Sequence, residues 1–215
     1  MTIRLHYAPG ACSFVPHVGL ELAGEAFEPV LVRLHKGEHQ TPEYLAMNPD
    51  GQVPVLQVAG RTLTQIIAIC DWIAARHPGL GLLPADPWAR AQTLSLLAWI
   101  NNTVHPTFAQ VFLTRKFVDD PEAQKLLRAS ATERYRAQLE RIQGWVSCAQ
   151  PFLNGERPSF LDAYVLTVQR WGGYAGIDPA TMPVLRDYVV RFAQHPEVAA
   201  VIARERIELN TYKPD

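Results

Sequence analysis

The sequence predicts two domains of different class, an α/β domain with the element order β-α-β-α-β-β-α and an all-α domain after it. Three observations support this prediction. A strand, a tight turn and a helix open the chain, a segment with three prolines and two glycines lies at residues 78–87, and apolar residues then recur at helical spacing to about residue 206. We therefore expect a first domain at 1–77, a linker at 78–87 and a helical domain at 88–215.

Composition limits the classes of partner and compartment. The chain has 215 residues, of which 48% are hydrophobic, so it can bury a sizeable core. Its 20 basic and 21 acidic residues nearly cancel, which argues against nucleic acid or an anionic membrane as the main partner. Neither a signal sequence nor a run of about 18 apolar residues is evident. We expect a soluble, cytoplasmic protein.

The cysteines support the same compartment. Cys12, Cys70 and Cys148 cannot all pair, and their spacing fits neither a disulfide framework nor a zinc site. Cys70 and Cys148 lie within helical patterns, which indicates small buried residues. We therefore expect a reducing environment and no bound metal.

The segment from Tyr7 to Ser13 organises the first domain. Ile3–Tyr7 alternates apolar and polar residues as a short strand does, Pro9-Gly10 marks a tight turn, and Phe14–Ala23 carries apolar residues at helical spacing. Ser13 is a natural N-cap for this helix. The pattern predicts a strand, a turn and a helix.

Cys12 therefore lies immediately before a helix N-terminus. Unpaired backbone N–H groups and the helix dipole stabilise an anion there, and they can lower the pKa of a thiol toward neutrality. A small residue buried at a turn is the alternative interpretation. The position at a helix start after a Pro-Gly turn favours a reactive thiol.

Local signals predict the rest of the first domain. Phe27–Arg33 is typical of a second strand, and the short crossover makes it parallel to the first. Thr41–Met47 is typical of a short helix with proline at its first position. Pro54 opens the next strand, where a proline indicates an edge, a bulge or a cis bond. The remaining elements are a strand at 52–58, a hairpin turn at 59–60, a strand at 61–64 and a helix at 65–77.

One apparent metal motif occurs in this domain. His35–His39 matches H-x-x-E-H, a pattern that binds zinc only when a helix brings both imidazoles to one face. Here Gly37 lies in the middle of the motif, in a loop after a strand. We reject the metal interpretation in favour of a solvated loop.

The second domain is predicted to be helical throughout. Trp88–Phe117 forms one long pattern with an expected bend at Pro106. Asp119 or Asp120 caps the next helix, which extends to about Ser147. The later helices are one capped by Ser159 and Asp162 that ends near Trp171, one at 182–195 and one at 196–206.

Together with this order of elements, three motifs resemble the cytosolic glutathione transferases, nearest the bacterial beta class. Residues 7–13 resemble the opening of that class, and Met47–Leu56 is similar to the family's N-P-x-G-x-V-P-x-L signature. Ser159–Tyr164 resembles the family's folding motif in the second domain. The resemblance implies a thioredoxin-like first domain, an all-α second domain, glutathione as co-substrate without a metal, a homodimer and a role in detoxification.

The resemblance also implies the site. Cys12 matches the beta-class cysteine, Tyr7 and Ser13 resemble hydroxyl residues that other classes use, and His105 resembles a histidine that faces the cleft. Each of three residues also has a structural interpretation. His105 can be a core histidine, Lys36 a solvated lysine and Trp171 a core tryptophan. The implied glutathione contacts are Lys36, Gln52, Val53, a cis Pro54, Gln65 and Ile66. The implied walls of the hydrophobic substrate site are Phe108, Phe112 and Trp171.

Gln65-Ile66 departs from the family pattern of an acidic residue or Gln followed by Ser. Gln65 can accept from the γ-glutamyl ammonium without a full negative charge, and Ile66 offers only its backbone N–H. A lost side-chain hydrogen bond to a charged group costs about 1.5–3 kcal/mol, or roughly one to two decades in affinity. We expect weakened glutathione binding.

Two classes of function follow. As an enzyme, the protein conjugates glutathione to a hydrophobic electrophile, or it performs thiol–disulfide exchange through Cys12. As a non-catalytic protein of the same fold, it binds or assembles with a partner, and the altered Gln65-Ile66 pair is the feature that favours this alternative. Cys12 has no second cysteine at C-x-x-C spacing, so a simple thioredoxin-like oxidoreductase is disfavoured.

Overall fold

A four-stranded mixed sheet forms the centre of the first half of the chain in the computed structural model, which describes residues 2–214. The strand order is β2-β1-β3-β4, with β2 parallel to β1 and the other pairs antiparallel. The strands are β1 (Ile3–Tyr7), β2 (Glu28–Leu31), β3 (Val55–Val58) and β4 (Arg61–Thr64).

Three helices accompany this sheet and complete the predicted order β-α-β-α-β-β-α. They are α1 (Phe14–Leu22), α2 (Pro42–Met47) and α3 (Ile66–Arg76). The Thr41 side chain caps α2 by accepting from the Tyr44 N–H. Ala59 and Gly60 both have positive φ, at 48° and 80°, as a two-residue hairpin turn between β3 and β4 requires. The Val53–Pro54 bond is cis.

Helices make up the second half. They are α4 (Pro87–Trp99), α5 (His105–Phe112), α6 (Pro121–Val146), α7 (Phe160–Tyr174), α8 (Pro183–Ala193) and α9 (Pro196–Glu205). Asp120 caps α6 by accepting from the Ala123 N–H at 2.7 Å. At the start of α7, the Asp162 carboxylate accepts from both the N–H and the hydroxyl of Ser159 at 2.7 Å, which confirms the predicted cap.

The helical pattern predicted from Trp88 to Phe117, with a bend at Pro106, changes form just before that proline and ends earlier than predicted. A π-helical turn at Ile100–Val104 separates α4 from α5, and α5 ends at Phe112. Pro106 has no N–H to donate to the carbonyl four residues earlier, and the wider turn before it accommodates the missing bond.

Two predictions at helix ends also need correction. The helix expected to end near Trp171 continues to Tyr174. Cys148, expected to be buried in a helix, is exposed because α6 ends at Val146. Helix ends depend on the packing of the next segment as well as on local sequence.

One buried cluster passes through both halves of the chain. It includes Leu5 and Phe14 from the sheet and α1, and Tyr164 and Phe192 from the helical half. Helix α1 packs on α7 and α9, so the two halves share this core. The bounds 1–77, 78–87 and 88–215 stay predictions, and the terminal residues Met1 and Asp215 lie outside the described residues.

Gly19 allows the close approach of α1 and α7. A Cβ at this position would overlap the ring of the buried Phe160. We expect Gly19→Ala to lower the free energy of unfolding by about 1–3 kcal/mol, the usual cost of overpacking a core. Urea unfolding measures this change.

The matched control is Gly144→Ala in α6, where nothing lies within 4 Å of an added Cβ. That change should be neutral or raise the free energy of unfolding by up to about 1 kcal/mol through helix propensity. Equal stabilities for the two variants would contradict the packing assigned to Gly19.

Candidate functional site

A tight loop joins β1 to α1 and carries Cys12. The Ala11 N–H donates to the Ala8 carbonyl at 3.1 Å, and Gly10 has a φ of 66°. The Ser13 hydroxyl accepts from the Ala8 N–H at 3.1 Å and donates to the Ala8 carbonyl at 3.2 Å. These bonds fix the loop from inside.

The structure corrects the role expected for Ser13. Its backbone is already helical, and its side chain makes no capping bond to α1. Its hydroxyl, fully buried, bonds back to Ala8 instead. Ser13 therefore has a structural role in the loop, and the structure adds no support for its predicted catalytic role.

Cys12 is buried, and its Sγ–H donates to the Val53 carbonyl at 3.5 Å. Burial raises the pKa of the Cys12 thiol to about 12, although the N–H groups of Cys12 and Ser13 act to lower it. The expected effect of the helix start is therefore present and smaller than the cost of desolvating a thiolate. The prediction of a lowered thiol pKa is therefore wrong.

Tyr7 ends β1 and faces the core between the two halves. Its ring centre lies 4.9 Å from that of His17. Burial and the nearby Glu205 carboxylate raise the pKa of Tyr7, and Arg204 opposes the shift. Tyr7 is thus a neutral hydroxyl donor at pH 7. Within residues 2–214 it has no hydrogen bond to Cys12 or Ser13.

Helices α9 and α7 together clamp the Cys12 loop. The buried Glu205 carboxylate accepts from the Gly10 N–H at 2.8 Å and bonds His17 Nδ1 at 2.7 Å. From α7, Trp171 Nε1–H and Arg170 Nη1–H donate to the Gly10 carbonyl at 2.9 and 3.3 Å. Both backbone groups of Gly10 are therefore held by the helical half.

Sequence reasoning missed this clamp. A glutamate near the end of a surface helix is normally exposed, and nothing local in the sequence distinguishes Glu205 from its neighbours. His17 offered a weak signal, since it occupies a position in α1 otherwise flanked by buried residues. Pairing the two needed the tertiary structure, because they lie 188 residues apart.

The segment before β3 is also well fixed. The Gln52 carbonyl accepts from the Tyr44 hydroxyl and from Asn48 Nδ2, both at 2.8 Å. The Gln52 side chain is exposed, whereas Val53 and Pro54 are buried. The Val53 carbonyl thus accepts from Cys12 and belongs to the cis bond with Pro54.

Gln65 and Ile66 lie at the start of α3. Gln65 is exposed and has a φ of 72°, an unusual backbone conformation for a residue other than glycine. The Ile66 side chain is buried in the main core, so its apolar character has a packing reason. Ile66 therefore offers its backbone N–H at the first turn of the helix and no side-chain hydrogen-bonding group.

The loop after β2 contains Lys36. Leu34–Lys36 and Glu38–Gln40 form short 3₁₀ turns rather than the single helix that an H-x-x-E-H site needs. The Glu38 carboxylate accepts from the N–H and the guanidinium of Arg33 at 2.7 and 3.0 Å. Glu38 thus has a local structural partner, and Lys36 lies exposed beside it.

The three predicted apolar residues do come together. Phe108 stacks on Trp171 with ring centres 4.8 Å apart and on Phe112 with centres 5.5 Å apart. Phe112 is 54% exposed and also contacts Tyr174, which sequence reasoning did not identify. We call Phe108, Phe112, Trp171 and Tyr174 the aromatic wall.

His105 adjoins the aromatic wall. Its ring centre lies 4.8 Å from that of Trp171, and its Nδ1 lies 3.3 Å from the Tyr164 hydroxyl. Burial lowers the pKa of His105 to about 4, so the imidazole is neutral at pH 7. His105 can accept or donate one hydrogen bond here, and it carries no charge.

We expect Cys12 to be unreactive in the ligand-free protein at pH 7, because raising a thiol pKa from 9.0 to about 12 cuts its thiolate fraction roughly 1,000-fold. In a Cys148→Ser background, alkylation by iodoacetamide should rise about tenfold for each pH unit from 7 to 10. Mass spectrometry locates the label, and Cys12→Ala in the same background is the control. A plateau below pH 9 would show a thiol more acidic than the structure indicates.

Comparisons with known proteins agree with this architecture. Residues 1–75 match the family described as the glutathione S-transferase N-terminal domain. Glutathione S-transferase GstA of Escherichia coli O157:H7 is 32% identical over 212 residues, which cover 96% of this chain and all of that protein. A maleylacetoacetate isomerase of Rhizobium meliloti is 31% identical over 86% of this chain and 87% of its own length.

Solved structures share the fold. A glutathione transferase homologue from Sulfitobacter with bound glutathione has a TM-score of 0.88 and 28% identity, covering 96% of this chain and 99% of its own. A bacterial beta class glutathione S-transferase of Sphingomonas chungbukensis has a TM-score of 0.81 and 31% identity, over 94% and 98%. The predicted thioredoxin-like first domain and helical second domain are confirmed. The chain belongs to the glutathione S-transferase family.

Proposed function

We propose that this protein is a glutathione transferase that joins the thiol of glutathione to a hydrophobic electrophile, with Cys12 at the thiol site. The observation that carries the proposal is the Cys12 loop itself. It holds a thiol at the start of α1, beside the Val53 carbonyl, and Trp171 of the aromatic wall bonds directly to the same loop. A thiol site and an apolar surface thus share one rigid support.

We assign the glutathione contacts to the segments that the family resemblance implies. The backbone of Val53 next to the cis Pro54 supplies an extended edge for the cysteinyl part, and the first turn of α3 at Gln65-Ile66 supplies N–H groups for the γ-glutamyl carboxylate. Lys36 and the exposed Gln52 complete the proposed set. Relatives with glutathione bound support glutathione as the co-substrate.

The raised pKa of Cys12 favours conjugation over thiol–disulfide exchange. A protonated Cys12 is a poor nucleophile toward a disulfide, but its S–H can donate to the glutathione thiolate, as can the neutral hydroxyl of Tyr7. The thiolate then attacks the electrophilic carbon, a carbon–sulfur bond forms, and the leaving group departs with its electron pair or the double bond takes up a proton.

Glutathione binding provides the first test. Calorimetric titration at neutral pH should give a dissociation constant in the micromolar to low-millimolar range. Gln65→Glu should lower that constant up to about tenfold, because a charge-assisted bond to the ammonium is roughly twice as strong as a neutral one. Gln92→Glu on the exposed face of α4 makes the same charge change away from the proposed site and should have no effect.

The absence of heat with both the natural protein and Gln65→Glu would contradict glutathione as co-substrate. The non-catalytic alternative, a binding or assembly protein of this fold, would then be favoured. The altered Gln65-Ile66 pair is the feature behind that alternative.

Cys12→Ala tests the thiol site. We expect the rate of conjugation of glutathione to chlorodinitrobenzene to fall about 10- to 100-fold, the cost of one lost hydrogen bond to a charged group. Any mixed disulfide formed with oxidised glutathione should disappear from residue 12, as mapped by mass spectrometry. Full conjugation activity and an unchanged mixed disulfide would rule out Cys12.

A second candidate reaction is isomerisation of an activated double bond by reversible addition of the glutathione thiolate. The maleylacetoacetate isomerases among the relatives favour it. Glutathione is consumed in conjugation and regenerated in isomerisation, so thiol titration during turnover separates the two reactions.

We also propose that the protein is a cytoplasmic homodimer nearest the beta class, on the strength of the family resemblance. None of the helices in the described part of the chain is long and apolar enough to cross a membrane. Light scattering of the purified protein tests the dimer directly.

A further inference from the structure

A short chain of hydrogen bonds ends at His105. His105 Nδ1 lies 3.3 Å from the Tyr164 hydroxyl, which donates to Asn101 Oδ1 at 3.1 Å. Asn101 Nδ2 in turn donates to Asn102 Oδ1 at 2.9 Å. Both asparagines lie in the π-helical turn between α4 and α5, and such turns are frequent at functional sites.

The hydrogen bonds from His105 through Tyr164 to Asn101 all donate in one direction. The Asn101 carbonyl oxygen faces Tyr164, and the Asn101 Nδ2 donates to Asn102 on its other side. A carbonyl oxygen only accepts, and the single hydroxyl proton of Tyr164 is therefore committed to Asn101. The Tyr164 oxygen can then only accept from His105, which requires the proton of the ring to be on Nδ1.

We propose that Asn101 and Tyr164 are positioning residues that hold His105 as the Nδ1–H tautomer, with the lone pair of Nε2 free for a ligand. The use of the Nε2 lone pair in catalysis rests on the proposed function. The tilted contact of the His105 ring with the Trp171 ring restricts the plane of the imidazole, and the hydrogen-bond chain fixes which nitrogen is the acceptor. Burial supports the same state, since it keeps the imidazole neutral.

The Nδ1–H tautomer determines which kind of ligand group can bind to Nε2 of His105. Nε2 is a neutral acceptor beside an otherwise apolar aromatic wall, so it selects a hydrogen-bond donor, such as the S–H of incoming glutathione or a hydroxyl on the co-substrate. With the other tautomer, His105 would present a donor and would favour a carbonyl or a carboxylate. The Asn101–Tyr164 pair thus determines whether His105 prefers a ligand that donates a hydrogen bond or one that accepts it.

The tautomer can be read without any turnover. In protein labelled with ¹⁵N at its seven histidines, the nitrogen that carries the proton and the one that does not give well-separated resonances, and His105→Gln identifies the pair that belongs to residue 105. We expect Nδ1–H in the natural protein. In Asn101→Ala the Tyr164 proton is released to donate to Nδ1, so His105 should change to the Nε2–H form.

Thr103→Ala is the matched control, because Thr103 is exposed in the same π-helical turn and its side chain is outside the chain of bonds. It should leave the tautomer unchanged. Tyr164→Phe removes the hydroxyl from a fully buried ring and should also abolish the Nδ1–H form. If this core variant fails to fold, the natural protein and Asn101→Ala still decide the question.

Two results would overturn the proposal: Nε2–H in the natural protein, or Nδ1–H that persists in Asn101→Ala. Kinetics add a separate readout, in which Asn101→Ala lowers kcat about tenfold, the effect of one hydrogen bond, with little change in the KM for glutathione. A protein that shows the tautomer switch and no conjugation would refute the proposed function and leave the positioning role intact.

Discussion

The buried carboxylate of Glu205 is the constraint on which the site depends. It joins α9 to the Gly10 N–H and to His17 of α1, and all of these groups are inside the protein. A buried carboxylate is costly unless hydrogen bonds satisfy it, so its partners are held firmly in place. With Trp171 on the Gly10 carbonyl, the helical half determines the shape of the loop that carries Cys12. The thiol site is therefore a product of both halves.

Cys12 shows how two effects compete at one thiol. The start of α1 supplies N–H groups that favour a thiolate, and burial against Val53 opposes it more strongly. The resulting neutral thiol is suited to stabilising another anion rather than to attacking first.

Features with local causes were predictable from sequence. The element order of the first domain, the cap at Asp120 and the hairpin turn at 59–60 follow from residues within a few positions of one another. Three features were not predictable, because each depends on groups that tertiary packing brings together: the pKa of Cys12, the Glu205 clamp and the orientation of His105. The early end of α5 was missed for a related reason: a Pro106 bend was expected, but how much helix follows such a bend depends on what it packs against.

The clamp also has a consequence for the order of synthesis. Gly10 leaves the ribosome before its partner Glu205, which follows 195 residues later. Until α9 is made and docked, the loop lacks its anchor and Cys12 lacks the nearby Glu205 carboxylate, which helps to raise the pKa of its thiol. A nascent chain therefore carries a more acidic and more oxidisable cysteine than the folded protein, and the docking of α9 is the step that protects it.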